Sequence, residues 1–310
     1  MTKIDLVTGF LGSGKTTFIK KYVAWLLSQG ERVGILENDY GAVNVDMLLL
    51  RELRNDNCEL EMIAGGCDSD CYRRRFKTKL ISMAMSGYTR VVMEPSGIFD
   101  ITDFYDVLRE EPLDNWYEIG NVFCIVDAKL DTNQSEEAEY VLKTQLTNSG
   151  CVILSRTGIA SEVEISRTKE YIDQLGLGNI PIYDRDWNSW GNDDFVRINR
   201  AGFKISESPK KYDWDELPFD SIYYLESGLD IEAVKVKSSK LFEAGSEVGN
   251  VTRIKGFVPD KASNTWVEIN ATHKEMSITD IAVGQEVLIV IGEHLDKDKI
   301  DEVIGTDTQI

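Results

Sequence analysis

Positive charge is scarce in this 310-residue chain, in which 34 Lys and Arg stand against 53 Asp and Glu for a formal net charge of −19. Nucleic acids and membrane surfaces are themselves negative, so the balance argues against both as general partners. The acidic residues are dispersed rather than blocked into a tail, the pattern of a well-solvated soluble protein. Long apolar runs are also missing. None approaches the about 20 residues that cross a bilayer, and the N-terminus leads directly into a strand pattern without a signal sequence. Histidine occurs twice, at His273 and His294, and lone histidines are more often surface or packing residues than ligands. The five cysteines, Cys58, Cys67, Cys71, Cys124 and Cys151, are an odd number and do not form the framework of a small secreted domain. A reducing, cytoplasmic address is expected. Cys124 and Cys151 lie in apolar strand-like runs and read as inert core thiols. There is no internal repeat and no low-complexity segment.

What is present is concentrated near the start. Residues Gly9-Phe-Leu-Gly-Ser-Gly-Lys-Thr-Thr17 spell G-x-x-x-x-G-K-[ST]. Before them Ile4 to Thr8 is a short apolar run suited to a buried parallel strand, and after them Phe18, Ile19, Tyr22, Val23, Leu26 and Leu27 recur at helical spacing over Thr16 to Ser28. Strand, glycine-rich turn and helix N-terminus together make an anion cradle. Gly9, Gly12 and Gly14 permit backbone angles and close approaches that a side chain would block, so the amides around Ser13 can point at phosphate oxygens at the positive end of the helix dipole. Lys15 is expected to reach the β- and γ-phosphates. The Thr16 hydroxyl is expected to ligate Mg²⁺, with Thr17 following in the same phosphate-binding segment.

Further apolar runs at Arg32 to Glu37, Arg90 to Met93, Asn121 to Val126 and Cys151 to Leu154 alternate with helical patterns at Arg73 to Met85 and Glu136 to Leu146. Such alternation predicts a mostly parallel sheet covered on both faces, with ligands beyond the carboxyl ends of the strands. The segment Asn38-Asp-Tyr-Gly41 reads as a polar turn after the second strand. A polar, proline-bearing stretch over 206–220 reads as a linker, which divides the chain into a nucleotide-binding domain at 1–205 and a smaller α+β domain at 221–310. The smaller domain is expected to pair antiparallel strands near 221–225, 251–258, 265–269 and 285–292. A helix is expected near 231–242 and a last one after Leu295, capped by Asp296.

Phosphate loops serve many reactions, so other positions must name this one. The fourth strand ends in Glu94-Pro-Ser-Gly97, which sets a carboxylate and a glycine beside the expected γ-phosphate. Glu94 can hold the Mg²⁺ hydration shell and the Gly97 amide can sense the γ-phosphate. These residues, with Thr8 to Thr17, Glu37-Asn-Asp-Tyr-Gly41, Val126-Asp127-Ala128, Arg253-Ile-Lys-Gly-Phe257, Trp266 and Gly284 to Glu293, resemble the CobW-like branch of the metal-chaperone phosphate-loop GTPases, over nearly the whole chain. The resemblance implies slow, metal-responsive GTP hydrolysis, with Lys15, Thr16 and Glu94 as catalytic residues. It further implies delivery of a transition metal such as Zn²⁺ or Co²⁺, or support of a metallocofactor. A client metalloprotein or cofactor enzyme is the implied partner; the sequence leaves the oligomeric state open, a homodimer among the options.

Two departures from that pattern matter. The family's Gly-Cys-x-Cys-Cys signature is here Gly66-Cys67-Asp-Ser-Asp70, with Cys71 arriving one position late. Cys67 and Cys71, with Glu37 and Asp68 or Asp70, can still supply mixed sulfur and oxygen ligands. A redox dithiol, a lost metal site and two unrelated thiols are the alternatives. The run Arg73-Arg-Arg75 reads as a solvated helix face, with approach to the nucleotide phosphates on closure of the switch as the alternative. Secondly, switch GTPases carry Asn-Lys-x-Asp after the strand ending at Leu154, and its final carboxylate accepts hydrogen bonds from guanine N1 and N2. This chain has Ser155-Arg-Thr-Gly158 instead. Arg156 can lie on a purine face, but stacking does not separate guanine from adenine, so ATP stands beside GTP. A nucleotide-dependent protein-binding switch without a metal role, and a small-molecule phosphate-loop kinase, are the competing functions.

Overall fold

The computed structural model describes residues 1–39, 50–64, 69–97, 101–205, 219–260, 263, 265–281 and 284–305. Seven parallel-paired strands make the larger sheet: β1 (Thr2–Thr8), β2 (Val33–Asp39), β3 (Cys58–Ala64), β4 (Arg90–Glu94), β5 (Tyr117–Asp127), β6 (Cys151–Ser155) and β7 (Ile182–Tyr183), in the order β3-β2-β4-β1-β5-β6-β7. The helices α1 (Lys15–Ser28), α2 (Ser69–Met85), α3 (Ile101–Leu108), α4 (Leu113–Trp116), α5 (Glu136–Thr147), α6 (Glu162–Ile172) and α7 (Asn192–Ile198) connect them. Parallel neighbours need such crossovers, and the helices bury both faces of the sheet, which is why β4 and β6 are buried at every position.

Two hydrophobic layers hold this sheet. Phe18, Ile19, Tyr22, Val23 and Leu26 of α1 pack on Val7, Ile35, Val92, Phe123 and Ile153, with Trp187, Phe195 and Ile198 closing the far side. Leu142 and Leu146 of α5 and Tyr171 and Ile172 of α6 pack on Cys124, Val126, Val152 and Leu154. Cys124 and Cys151 are fully buried, and burial raises both thiols, that of Cys151 to about 12, so they are inert as the sequence implies.

The apolar run Ile4 to Thr8 conceals a charge. Asp5 is fully buried and is held by Arg90 Nη1 at 2.9 and 3.1 Å, the Tyr22 hydroxyl at 2.8 Å and the Asn121 amide N–H at 2.7 Å. Burial pushes its carboxyl up while Arg90 pulls it down. The expected turn after β2 begins later than residue 38, because Asn38 and Asp39 pair in register with Ile63 and Ala64 of β3.

Asp213–Ile310 carries most of a second compact unit. Its five strands are β8 (Phe219–Leu225), β9 (Asn250–Asp260), β10 (Thr265–Ala271), β11 (Met276–Ile281) and β12 (Val287–Glu293), antiparallel in the order β11-β10-β9-β12-β8. Helices α8 (Ile231–Ala244) and α9 (Lys297–Ile304) cover it through Val234, Leu241, Ile300 and Ile304. Asp296 caps α9, its Oδ1 accepting from the Lys299 N–H at 3.2 Å. His273 packs its ring on Phe242, 4.8 Å between centroids. Among the described residues, no helix is long and apolar enough to cross a membrane.

Candidate nucleotide-binding site

Six of the seven strands of the larger sheet lead at their carboxyl ends into residues of one site. β1 runs into Gly9, β2 carries Glu37, β4 ends on Glu94, β5 on Asp127 and β6 on Ser155, and β7 leads to Asp184 to Asp186. Parallel strands bring these ends to one edge, where the helix N-termini also lie.

The loop between β1 and α1 is shaped by its glycines. Gly9 has φ 148°, and a Cβ there would lie 2.3 Å from the Ile125 carbonyl oxygen, so no side chain fits between the loop and β5. Gly14, at φ 94°, caps α1 without a side-chain acceptor, and no acidic residue occupies the first turn. The first amides of α1 are therefore left for an outside anion at the positive end of the dipole. The buried hydroxyls of Thr8, Ser13 and Ser155 surround this loop and have no hydrogen-bond partner among the described residues. Orphaned buried donors of this kind are costly unless a ligand completes them, so the cradle suits a phosphate chain.

The predicted chemical groups converge on the loop. The Lys15 ammonium donates to the Gly9 carbonyl at 3.0 Å, folded across the mouth of the loop. The Thr16 hydroxyl donates to Glu94 Oε1 at 2.9 Å, which joins the start of α1 to the end of β4. These two hard oxygens suit Mg²⁺. Glu37 is in register with Glu94 on the neighbouring strand, and both are buried, 2% and 5% exposed. Thr17 is exposed on the first turn of α1. Gly97 rests on the loop: a Cβ there would lie 2.7 Å from the Leu11 nitrogen and 2.9 Å from its Cα. Gln145 of α5, fully buried, donates from Nε2 to the Gly97 carbonyl at 2.9 Å. Nothing in the motif spacing points to Gln145, which arrives from a helix that follows the next strand.

Arg156 sits at the junction of three strand ends. It adopts a left-handed φ of 57°, and its guanidinium pairs with Asp127 Oδ2 at 2.9 Å and donates to the Gly12 carbonyl at 3.4 Å. The residue expected to face the base thus also ties β5 and β6 to the phosphate loop.

The thiolate region is less complete. Cys67 lies outside the described residues, and α2 takes in Cys71, whose side chain also lies outside them. Among the described residues no group of three or more His, Cys, Asp or Glu is arranged to hold a metal ion. Arg73 is committed to Glu110, with Nη2 to Oε1 at 2.6 Å, and Lys77 joins the same carboxylate at 2.6 Å.

The model of the CobW/HypB/UreG nucleotide-binding domain matches residues 3–179. The zinc chaperone YeiR of Escherichia coli is 27% identical over 158 residues, 51% of this chain and 47% of YeiR, so the chain spans about half the length of that relative. The zinc chaperone YjiA of the same organism is 25% identical over 216 residues, 66% of this chain and 63% of YjiA. The zinc chaperone CobW of Pseudomonas aeruginosa is 20% identical over 342 residues, 98% of this chain and 90% of CobW. Among solved structures, the Zn(II)-bound YjiA GTPase of E. coli covers 99% of each chain at 17% identity with a TM-score of 0.40.

Proposed function

Because the chain belongs to the CobW/HypB/UreG family, we propose that it binds and slowly hydrolyses a nucleoside triphosphate with Mg²⁺, and that hydrolysis serves delivery of a transition metal to a client protein. The observation that carries this reading is the Thr16 to Glu94 hydrogen bond of 2.9 Å beside a loop whose buried hydroxyls lack partners. Family relatives named zinc chaperones support the cargo.

In this reading the loop amides and the orphaned hydroxyls receive the phosphates, and Lys15 exchanges the Gly9 carbonyl for β- and γ-phosphate oxygens. Thr16 and Glu94 hold the Mg²⁺, which supplies charge neutralisation on the phosphates when bound. Lys15 neutralises the remaining charge, and water is the acceptor. Gly97 is packed against Leu11, so its amide responds to the γ-phosphate, and Gln145 carries any shift of that turn to α5. The sequence motifs include no obvious arginine finger or catalytic glutamine, so intrinsic turnover is slow until a partner contributes. The cargo, Zn²⁺ or Co²⁺, is taken by Cys67 and Cys71 with Glu37, a mixed sulfur and oxygen set.

The test is phosphate release from Mg·GTP and Mg·ATP by wild type and Lys15→Ala, followed by Co²⁺ titration of the reduced protein with non-hydrolysable triphosphate, with diphosphate and without nucleotide. Lys15-dependent release and a thiolate absorption band that requires triphosphate and is lost in Cys67→Ser are expected. Triphosphate binding without any band would move the reading to a switch acting on a protein partner.

A further inference from the structure

We propose that Asp186 reads the base of the bound nucleotide and selects guanine. The inference rests on the nucleotide-binding reading above and deepens it. The fourth position of the motif that begins at Ser155, the last residue of β6, is where switch GTPases place their base-reading aspartate, and here it is Gly158. A Cβ built at Gly158 would lie 2.7 Å from Asp186 Oδ2, 3.1 Å from its Cγ and 3.7 Å from its Cβ. The Asp186 carboxylate therefore fills the space that a side chain at position 158 would enter. Gly158 is not among the glycines at positive φ, so its backbone does not call for glycine. The first atom that a side chain at position 158 would meet is that carboxylate. The missing acceptor has been supplied from the next loop of the sheet.

The topology makes this exchange natural. β6 and β7 are parallel neighbours, with Val152 opposite Ile182 and Ile153 opposite Tyr183, so the loops after them leave the same edge side by side. The turn at 156–160 closes on the Arg156 carbonyl, which accepts from the Ile159 and Ala160 amides at 3.0 Å each. The Asp186 side is equally fixed. Its Oδ1 accepts from the Asn188 N–H at 2.9 Å, and its carbonyl accepts from the Ser189 N–H at 2.9 Å and hydroxyl at 2.7 Å. The next residue, Trp187, is buried against Phe18 with centroids 5.8 Å apart, and its Cη2 lies 3.5 Å from a Cβ built at Gly14. The carboxylate is thus anchored relative to the phosphate cradle itself.

Its remaining oxygen is free to act. Oδ2 accepts no hydrogen bond among the described residues, and the side chain is part-exposed, so an incoming base can reach it. The nearby cations are engaged elsewhere: Arg156 with Asp127, Arg185 with Asp194 and Lys169 with Asp184. Guanine presents N1–H and N2–H₂ donors to a carboxylate. Adenine presents a lone pair at N1, which a carboxylate repels. An amide at the same place would accept from N1–H and donate to a carbonyl at C2, the pattern of xanthine.

The experiment measures Mg²⁺-dependent affinities of fluorescent GTP, ITP, ATP and XTP for wild type, Asp186→Asn, and Asp186→Ala/Gly158→Asp. Wild type is expected to prefer GTP over ATP and over ITP, which lacks the N2 amine, by roughly ten- to a hundredfold, the range for one charged hydrogen-bond partner. Asp186→Asn should lose GTP by a similar factor and gain XTP, a gain that a merely structural role would not produce. The double variant should regain GTP, because the freed space admits the carboxylate from position 158. Equal wild-type binding of GTP, ITP and ATP overturns the proposal, as does unchanged GTP preference in Asp186→Asn. Failure of wild type to bind any triphosphate would instead overturn the nucleotide reading on which it rests.

Discussion

The Thr16 hydroxyl and the Glu94 carboxylate, 78 positions apart in sequence, meet at 2.9 Å where α1 begins and β4 ends. Each is positioned by regular structure: Thr16 by the first turn of a helix whose apolar face is in the core, Glu94 by a strand buried at every position. A pair held this way is pre-organised to share one hard cation, and its geometry costs nothing at the moment of binding. Thr16→Ala and Glu94→Gln should each lower Mg²⁺-dependent phosphate release on the order of a hundredfold. Diphosphate binding in the absence of Mg²⁺ should be affected much less. Mg²⁺ titrations of release by the two variants check this, and wild-type rates in both would remove the pair from the reaction.

Gly97 and Gln145 make a second, separable prediction. A methyl group at Gly97 would press on Leu11 backbone atoms at 2.7 to 2.9 Å, so Gly97→Ala must displace either the turn or the phosphate loop. Loss of triphosphate affinity is expected while the fold persists. Gln145→Ala removes the hydrogen bond to the Gly97 carbonyl without a clash, at a cost to stability of about 1 kcal/mol. Its mark should be a reduced ratio of triphosphate to diphosphate affinity, measured by competition. An unchanged ratio would show that the turn is held without Gln145.

The parts legible in the sequence were those in which consecutive residues share one environment. The strands at Arg90, Asn121 and Cys151 are apolar because both faces are covered, and the phosphate loop is contiguous, so both could be read directly. β3 shows no apolar run because an edge strand with one open side tolerates Glu59 and Glu61 among its apolar residues. β11, also an edge strand, is exposed over its centre and shows none either, and β7 is two residues long. Gln145 meets Gly97, and Asp186 meets Gly158, only across the sheet edge, an adjacency that no spacing rule encodes. Ser155 to Gly158 holds no carboxylate, and nothing in that stretch announces the Asp186 carboxylate that the neighbouring loop brings 2.7 Å from the Cβ position of Gly158.

The Asp5 and Arg90 pair stabilises the same sheet away from its carboxyl edge. Asp5 is wholly buried, and Arg90, 4% exposed, is its ion-pair partner, so removal of Arg90 leaves a buried carboxylate held by the neutral donors Tyr22 and Asn121. Arg90→Ala should destabilise the larger domain by about 3–5 kcal/mol. Urea midpoints report this directly. An unshifted midpoint would mean that Tyr22 and Asn121 satisfy Asp5 by themselves, since they donate at 2.8 and 2.7 Å.

Buried thiols and phenols set the alkaline limit of the fold. Burial raises Cys58 to about 11, with the charge of Glu59 adding to it, and raises Cys151 to about 12, both from a reference of 9.0. Burial and a hydrogen bond to Glu59 raise Tyr88 to about 12 from 10.0. A folded-state pKa above the unfolded value means that the neutral form is the one the fold favours. The stabilisation is then complete below about pH 9 and is lost as pH rises through the interval up to 12. For Cys151, which has no exposed surface, the loss has a limiting slope of about 1.4 kcal/mol per pH unit in that window. Urea midpoints should therefore be level between pH 7 and 8.5 and fall progressively above about pH 9, as the unfolded thiols ionise first. Cys151→Ala should shallow that fall, at the cost of a small cavity between β5 and β7. A midpoint that holds from pH 8 to 11 would show that these groups ionise in the native sheet without penalty.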